Sequence, residues 1–369
     1  MIELQYVPLQ LTPESAISNI QKIYVTKEYF IIWHNSQGTS SPILLFDRRS
    51  GKFIREIGKK GRGPEEYLRP LGCFYNPYNN VVYARGDNFI KTYNLDGKFL
   101  TSFESPKVSD SSSKSGYYYA SIEGFLGSDT YICYVNNSTG TINKRLVITD
   151  QNKEIKSFPH YEKWSTTSSG ENFVQISQHP IFFSWNNKIS FKERSNDTIF
   201  YVSPDRLIPR YVLYSGDSRY PYRLTKEDAI NQFSKPKDYF ETLNIFENSK
   251  YLFFDLVSRN KPLDNEPNSF KLITNFCILD KTKNTIHVCK NNEETTNSCL
   301  TDDINNFIPI MPISISDDNE LISVIQAIEI TKWKATNPDK ALKLLPKIPW
   351  LNRINELDNP VIVIAKLKN

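Results

Sequence analysis

The sequence predicts an all-β protein, a six-bladed β-propeller, and three observations carry this prediction. Aromatic residues make up 13% of the chain, with 21 Tyr and 22 Phe against 14 Gly, which is typical of pleated, half-buried strands. A sequence motif of two strands recurs at a spacing of about the length of one propeller blade. The last repeat unit lacks one strand, and the chain begins with a strand that has no blade. These features predict a single domain over residues 1–369.

The recurring phrase is a β-hairpin. "ILLFDRRSGKFIREIG" (43–58) returns as "IKTYNLDGKFLTSF" (90–103) and, more weakly, as "RLVITDQNKEIKSF" (145–158). Each has a turn rich in Asp, Asn or Gly, and these residues tolerate the positive φ of tight turns. Gly51 and Gly97 lie about 46 residues apart, the length expected of a four-stranded blade.

Each blade is expected to contain strands A to D in chain order. The predicted A strands of blades 1 to 5 are "ISNIQKIYVT", "LGCFYNP", "YASIEGFLG", "QHPIFFSW" and "YFETLNIFEN". Blade 6 is predicted from "FIPIMPISISD", "ELISVIQAIEI" and "NPVIVIAKL", which leaves it without a strand D. The N-terminal "IELQYVPL" is expected to supply that strand, because this closure removes an exposed sheet edge.

Residues 329–357 interrupt blade 6 between its strands B and C. Their apolar residues recur every three or four positions between prolines, which predicts a short helical insertion. We expect the insertion to cap one face of the propeller. The alternative is a lid or a partner-binding surface with Trp333 and Trp350 as anchors.

Charge and composition exclude several classes of protein. The net charge of +4 is small for 369 residues and predicts no nucleic-acid partner. The sequence contains no run of about 18 apolar residues, so no transmembrane helix is predicted. The five cysteines include no CxxC pair. Cys277 and Cys289 flank a predicted hairpin and are expected to be buried free thiols, with a disulfide as the alternative.

The basic, glycine-rich stretch "IGKKGRGPEEYLRP" (57–70) invites comparison with a phosphate-binding loop. A Walker A loop needs G-x-x-x-x-G-K-[ST] between a strand and a helix. Here Gly63 is followed by Pro64 and Glu65, and no helix is predicted to follow. The stretch is therefore predicted to be a bend that joins strand D of blade 1 to strand A of blade 2.

Several segments resemble a known family. The junction "GKFIREIGKKGRGPEEY" resembles NHL-type repeats, and most of the chain resembles the six-bladed β-propeller lipoproteins of Bacteroides and related bacteria. The matching segments include "YVPLQLTPESAISNIQKI" (6–23), "NDTIFYVSPDRLIPRYVLYSG" (196–216), "ISDDNELISVIQA" (315–327) and "DNPVIVIAKLK" (358–368). Glu65 departs from the family junction, which usually has a further glycine there.

The resemblance also implies a location. Members of this family carry an N-terminal lipoprotein signal, and "MIELQYVPLQ" lacks one. The resemblance implies a periplasmic or outer-membrane lipoprotein if a signal segment was trimmed, and otherwise a cytoplasmic protein. Contact with a membrane is then expected only through a lipid anchor.

No local pattern predicts a metal site, a cofactor or a catalytic triad, and we expect none of them. The four histidines form no HExxH or HxxxH pair, and G-x-S-x-G does not occur. A glycosidase needs two carboxylates across a cleft. Asp87, Glu193 and Asp255 are candidate channel-facing acids, with solvated loop charges as the alternative interpretation.

Polar and aromatic residues concentrate at the B–C turns and the D–A junctions, which are expected to share one face around the channel mouth. Arginine can bind carboxylates or phosphates through two hydrogen bonds, and aromatic rings stack on sugars or bases. The predicted ligand-binding residues are Trp33, His34, Arg62, Tyr67, Arg69, Arg85, Asp87, Glu193, Arg194 and Arg259.

The predicted function is non-enzymatic. We expect a monomeric scaffold of the bacterial cell envelope that binds a glycan, a peptide or a partner protein at the channel mouth. The alternative is a hydrolase or lyase that acts on a polysaccharide or peptide in the central channel. A structural assembly subunit is a third hypothesis, and it requires a large apolar patch on the insertion.

Overall fold

Six four-stranded antiparallel sheets follow one another along the chain and give the protein its six-bladed β-propeller fold. The structure is a computed structural model that describes residues 2–35, 42–67, 70–86, 88–109, 116–137, 142–150, 153–161, 173–175, 178–225, 239–262, 270–289 and 300–368. For residues 173–175, 223–225, 259–262 and 270–272 it describes the backbone alone.

The strands of the first half match the predicted blades. Strand β1 (Glu3–Pro8) precedes blade 1, which contains β2 (Asn19–Val25), β3 (Tyr29–Asn35), β4 (Ile43–Asp47) and β5 (Phe53–Ile57). Blade 2 contains β6 (Gly72–Asn76), β7 (Val81–Arg85), β8 (Phe89–Tyr93) and β9 (Phe99–Glu104). A two-stranded ribbon of β10 (Lys107–Ser109) and β11 (Tyr117–Tyr119) follows, and blade 3 contains β12 (Ser121–Phe125), β13 (Tyr131–Tyr134), β14 (Lys144–Thr149) and β15 (Glu154–Pro159).

The second half follows the same plan. Strand β16 (Phe173–Gln175) precedes blade 4, which contains β17 (Ile181–Trp185), β18 (Lys188–Lys192), β19 (Thr198–Val202) and β20 (Leu207–Val212). Strand β21 (Arg223–Thr225) pairs with β16, and blade 5 contains β22 (Ile245–Glu247), β23 (Tyr251–Pro262), β24 (Phe270–Asp280) and β25 (Thr285–Val288). Blade 6 contains β26 (Pro312–Ile315), β27 (Glu320–Ile325) and β28 (Val361–Lys366), and short 3₁₀ turns occur at Gly216–Ser218 and Pro349–Asn352.

The predicted completion of blade 6 by the N-terminal strand is confirmed. Strand β1 lies antiparallel to β28, from the pair Glu3 and Lys366 to the pair Pro8 and Val361. The pairing covers the edge of β28, so its backbone groups find partners within the blade.

Contacts along the chain divide it into two compact units. Met1–Glu104 and Leu300–Asn369 form the first unit, which contains blades 1, 2 and 6. Ser105–Cys299 form the second unit, which contains blades 3, 4 and 5. That the whole chain behaves as one domain stays a prediction of the sequence.

Both faces of the central blade of each unit are apolar, and each face packs against a neighbouring blade. In β3, Phe30 and Ile32 join a cluster with blade 6, whereas Ile31 joins a cluster with blade 2. Phe191 and Ile199 of blade 4 likewise lie in separate clusters, shared with blades 3 and 5 respectively. Successive side chains of a strand point to opposite faces, so a continuous apolar run predicts a strand that is buried on both sides.

The predicted insertion in blade 6 consists of two short helices, α1 (Ala327–Thr336) and α2 (Pro338–Leu344). A capping box between Gln326 and Glu329 begins α1. The ring of Trp333 packs edge-on against Phe307 at a centroid distance of 4.7 Å, and Trp350 lies 6.4 Å from the ring of Tyr6. Both tryptophans therefore contribute to packing inside the first unit. Within the described residues, no helix has the length and apolar character needed to cross a bilayer.

The stretch at 57–70 is a bend, as predicted, although residues 68 and 69 lie outside the described part. Gly58 has a φ of +73°, and the Gly63 amide donates to the Glu66 carboxylate at 2.9 Å. The Tyr67 hydroxyl donates to the carbonyl of Ile57 at 3.0 Å. These contacts fold the segment back on itself before β6 begins at Gly72.

The described cysteines are free thiols. Cys277 and Cys289 are both free, as expected. Cys277 is buried, whereas Cys289 is half-buried. Burial raises the pKa of the Cys277 thiol to about 12, which keeps it protonated. Cys299 lies outside the described residues.

Substituting Gly51 by Ala should destabilise the protein by about 2–4 kcal/mol, because its left-handed backbone costs about 1–2 kcal/mol for a residue with a Cβ. Gly51 has a φ of +69°, and an added Cβ would lie 2.1 Å from the carbonyl oxygen of Pro8, at the end of β1. Gly116→Ala is the matched control, since Gly116 has a φ of +76° with nothing within 4 Å of the added atom. Urea unfolding compares the two variants, and equal losses would show that the contact with β1 does not matter.

Candidate functional site

A polar pocket of about 230 Å³ lies in the second unit, beside blades 3 and 4. Two of its residues, His160 and Tyr161, directly follow β15 at the junction between these blades. Three more come from the turn between β18 and β19, and two from the junction that follows blade 4. The full lining is Arg145, His160, Tyr161, Glu193, Ser195, Asn196, Arg219 and Tyr222. Within this unit, a B–C turn and D–A junctions thus line one pocket.

Glu193 is the acid of the pocket, and both of its carboxylate oxygens already have partners. Oε1 accepts a hydrogen bond from the Tyr134 hydroxyl at 3.0 Å, and Oε2 accepts one from Nη1 of Arg145 at 3.2 Å. The side chain is 1% exposed. Burial raises the pKa of Glu193 above its usual range, because it penalises the charged form more than Arg145 and Tyr134 favour it.

Arg145 lies in β14 and is 95% buried, with an exposed fraction of 5%. Its guanidinium carbon lies 5.6 to 5.8 Å from the ring centroids of Tyr161, Phe191 and Phe200. Its Nε is buried and has no hydrogen-bond partner among the described residues. Aromatic faces and one carboxylate therefore hold this cation at the pocket wall.

Hydrogen bonds between side chains and backbone groups hold the segments that line the pocket in place. The Ser195 amide donates to the side-chain oxygen of Gln178 at 3.1 Å, and the Ser195 hydroxyl donates to the carbonyl of Pro221 at 2.9 Å. A ring nitrogen of His160 lies 3.0 Å from the carbonyl of Val135. The B–C turn of blade 4 is thereby attached to the junction that carries Arg219 and Tyr222.

A second buried cation lies beside the acid. Lys192 is 4% exposed, and its Nζ donates to the carbonyl of Glu193 at 3.0 Å. Burial lowers the pKa of Lys192 to about 8, although the nearby carboxylates of Asp197 and Glu241 oppose the shift.

The predicted ligand-binding residues of the first unit occupy different environments. Trp33 is half-buried, and His34 is 2% exposed with no described hydrogen-bond partner for either ring nitrogen. Arg62 is exposed, whereas Tyr67 is buried in the apolar cluster between blades 1 and 2. Arg85 is half-buried and donates to the carbonyl of Leu71 at 3.1 Å. Their role in ligand binding stays a prediction.

Of the predicted ligand-binding residues in the second unit, Glu193 lines the pocket and Arg194 does not. Arg194 forms an ion pair with Glu241, and its guanidinium lies 4.9 Å from the ring of Tyr220. Arg69, Asp87 and the side chain of Arg259 lie outside the described residues.

The candidate acids for catalysis are already engaged where the structure describes them. Oδ1 of Asp255 accepts hydrogen bonds from the backbone N–H groups of Leu243 and Asn244 at 2.7 and 2.9 Å. Burial nevertheless raises the pKa of Asp255 to about 6. Among the described residues, no three His, Cys, Asp or Glu side chains lie close enough to hold a metal ion.

Sequence reasoning missed most of the pocket. The D–A junction between blades 1 and 2 predicts Arg62, Tyr67 and Arg69 as ligand-binding residues. The same position after blades 3 and 4 reads "FPHY" and "SRYPYRL", and it contains pocket residues. Applying the junction rule to every blade could have found these residues. Arg145 sits inside an ordinary strand, and no local signal marks it.

Comparisons with known proteins agree on the fold. A family model described as a domain of unknown function (DUF4934) matches residues 2–366. The chain is similar to a protein of Bacteroides fragilis described as exported, with a TM-score of 0.66 and 17% identity over 100% of this chain and 95% of that one. It is also similar to a member of the DUF4221 family from Bacteroides vulgatus, with a TM-score of 0.55 and 10% identity over 99% and 96% of the two chains. These likenesses show the fold alone. No curated protein matches the sequence.

Proposed function

Because this chain belongs to the DUF4934 family, which carries no assigned activity, we propose its function from the site itself. The protein is a non-enzymatic scaffold of the bacterial cell envelope that binds a ligand in the polar pocket of the second unit. The channel-mouth location predicted from the sequence is part of this proposal.

One observation carries the proposal. The described lining contains two arginines and the exposed ring of Tyr161 on a fixed frame, while its one carboxylate already accepts two hydrogen bonds. Groups that are pre-positioned and able to donate hydrogen bonds suit recognition of a polar ligand. The B. fragilis neighbour described as exported favours the envelope, and the lipoprotein and NHL-like character rests on the resemblance of the quoted segments.

A hydrolase or lyase is the second candidate, and Glu193 favours it. A carboxyl group with a raised pKa beside a pocket is a common arrangement for a general acid. Glycoside cleavage requires a second carboxylate. Among the described lining residues, Glu193 is the one acid, so binding has the better support.

The test is a binding screen of the full chain against acidic and neutral glycans and peptides, with product formation measured in the same wells. Saturable binding without turnover is expected. Turnover abolished by Glu193→Gln would establish the enzyme instead, and the absence of any ligand would overturn a pocket-based function. Arg62→Ala combined with Arg85→Ala should leave binding unchanged if the pocket of the second unit is the site. A strong loss in that variant would move the site to the first unit.

A further inference from the structure

The pocket carries an excess of positive charge. Arg145 and Arg219 both line it, whereas Glu193 is the single acid among the described lining residues. Arg219 is exposed and has no carboxylate within ion-pair distance among the described residues. Since arginine stays protonated in proteins, two cations in the lining face one carboxyl group.

Arg145 is short of partners for a buried cation. A guanidinium has five N–H donors. Within the described residues, Arg145 uses one of them, in the bond from Nη1 to Glu193. A buried charge is costly unless it is paired and hydrogen-bonded. An anion in the pocket would therefore supply both acceptors and charge that the protein lacks there.

The pocket also offers flat aromatic surface. Tyr161 is 78% exposed, although a large aromatic side chain usually buries most of its surface. Its ring lies next to the guanidinium of Arg145, and Tyr222 lines the same pocket half-buried. A ring-shaped ligand that stacks on Tyr161 would place its substituents within reach of the arginines.

We propose that this pocket binds a carboxylate-bearing sugar, a uronic acid residue of an acidic glycan, with the carboxylate between Arg145 and Arg219 and the sugar ring against Tyr161. This inference rests on the proposed binding function and adds the class of ligand. The volume of about 230 Å³, roughly that of eight water molecules in the liquid, suits a single sugar unit.

The charge of the pocket selects the kind of anion. Among the lining residues, two arginines and the ionised Glu193 leave one positive charge, which a singly charged carboxylate neutralises. A phosphate monoester carries about −1.5 to −2 at neutral pH and would leave the site negative beside the buried Glu193. The uncharged polar groups of the lining, including the side chain of Asn196, suit sugar hydroxyls better than an apolar ligand.

Five small probes test this inference by calorimetric titration of the full chain. Methyl glucuronide is expected to bind saturably. Its carboxamide and methyl glucoside, which have the same ring without the charge, should bind at least about tenfold more weakly. Acetate alone should bind far more weakly than the glucuronide, because it cannot stack on Tyr161. Glucose 6-phosphate should not compete with the glucuronide at equal concentration.

Two variants locate the contacts, and a third is the control. Arg219→Gln should weaken glucuronide binding at least about tenfold and should affect methyl glucoside little. Tyr161→Ser should weaken both sugars. Both side chains are exposed, so we expect the variants to fold. Arg206→Gln removes the same charge from an exposed turn between β19 and β20 that does not line the pocket, and it should leave binding unchanged.

The outcomes separate this inference from the proposed function. Equal binding of the glucuronide and its carboxamide, or tighter binding of glucose 6-phosphate, would refute the carboxylate while leaving a binding pocket in place. Acetate binding as tight as that of the glucuronide would refute the sugar. If neither the five probes nor any member of the wider glycan and peptide screen binds, the proposed function itself fails.

Discussion

Removal of residues 1–9 should destabilise the protein by at least about 4 kcal/mol, because it deletes the strand that completes blade 6. Val7 and Leu9 are 1% and 4% exposed, and burial of each such side chain contributes about 1.5–3 kcal/mol. The deletion also uncovers the edge of β28 and removes the hydrogen bond from the Tyr6 hydroxyl to Asp302. Such a loss is a large share of the 5–15 kcal/mol that typically stabilises a domain. Thermal and urea unfolding, followed by circular dichroism, measure it.

Point variants keep this test informative if the truncated chain does not fold. Val7→Ala should cost about 1–2 kcal/mol through lost apolar burial alone. Ile2→Ala is the control, since Ile2 is 55% exposed and should tolerate the change. A truncated protein with the melting curve of the full chain would show that strand closure does not stabilise blade 6.

Replacing Arg145 by Met should cost about 3–5 kcal/mol at pH 7, because it leaves the buried carboxylate of Glu193 without its cation. The adjacent Lys144→Met is the matched control. Lys144 and Glu154 form a partly exposed pair, with exposed side-chain fractions of 24% and 33%, and such pairs contribute about 0–1 kcal/mol. Urea unfolding at pH 7 compares the two variants, and equal losses would contradict a strong buried pair.

The pH dependence of Arg145→Met has a definite sign. Burial already raises the pKa of Glu193, and loss of Arg145 should raise it further. When the folded-state pKa exceeds the unfolded value, the folded protein binds more protons, so stability falls as pH rises through the folded-state pKa. The variant should therefore be most stable below the usual pKa of a glutamate. The double variant Arg145→Met with Glu193→Gln should lose this dependence and recover part of the stability.

Strands and turns were predictable because their signals are local. The continuous apolar runs in "FIIWHN" and "ILLFD" and the turn glycines at 51 and 97 depend on neighbouring residues only. The helical insertion was predictable for the same reason, from its spacing of apolar residues and prolines. The partners of individual polar side chains were less accessible. The sequence does not show, for example, that the ring of Tyr67 packs between two blades and that its hydroxyl donates to the carbonyl of Ile57.

By itself, the sequence determined the succession of blades and the use of the first strand to complete the last one, since both follow from short-range patterning and from the count of strands. Only the tertiary structure decided the pocket. Arg145 and Glu193 are 48 residues apart and belong to different blades. Their contact depends on how blade 3 packs against blade 4, because burial of both faces fixes each strand's register and thereby aims the polar groups at its end. The sequence alone does not show that these two charged side chains are buried, because their burial results from the packing of the two blades.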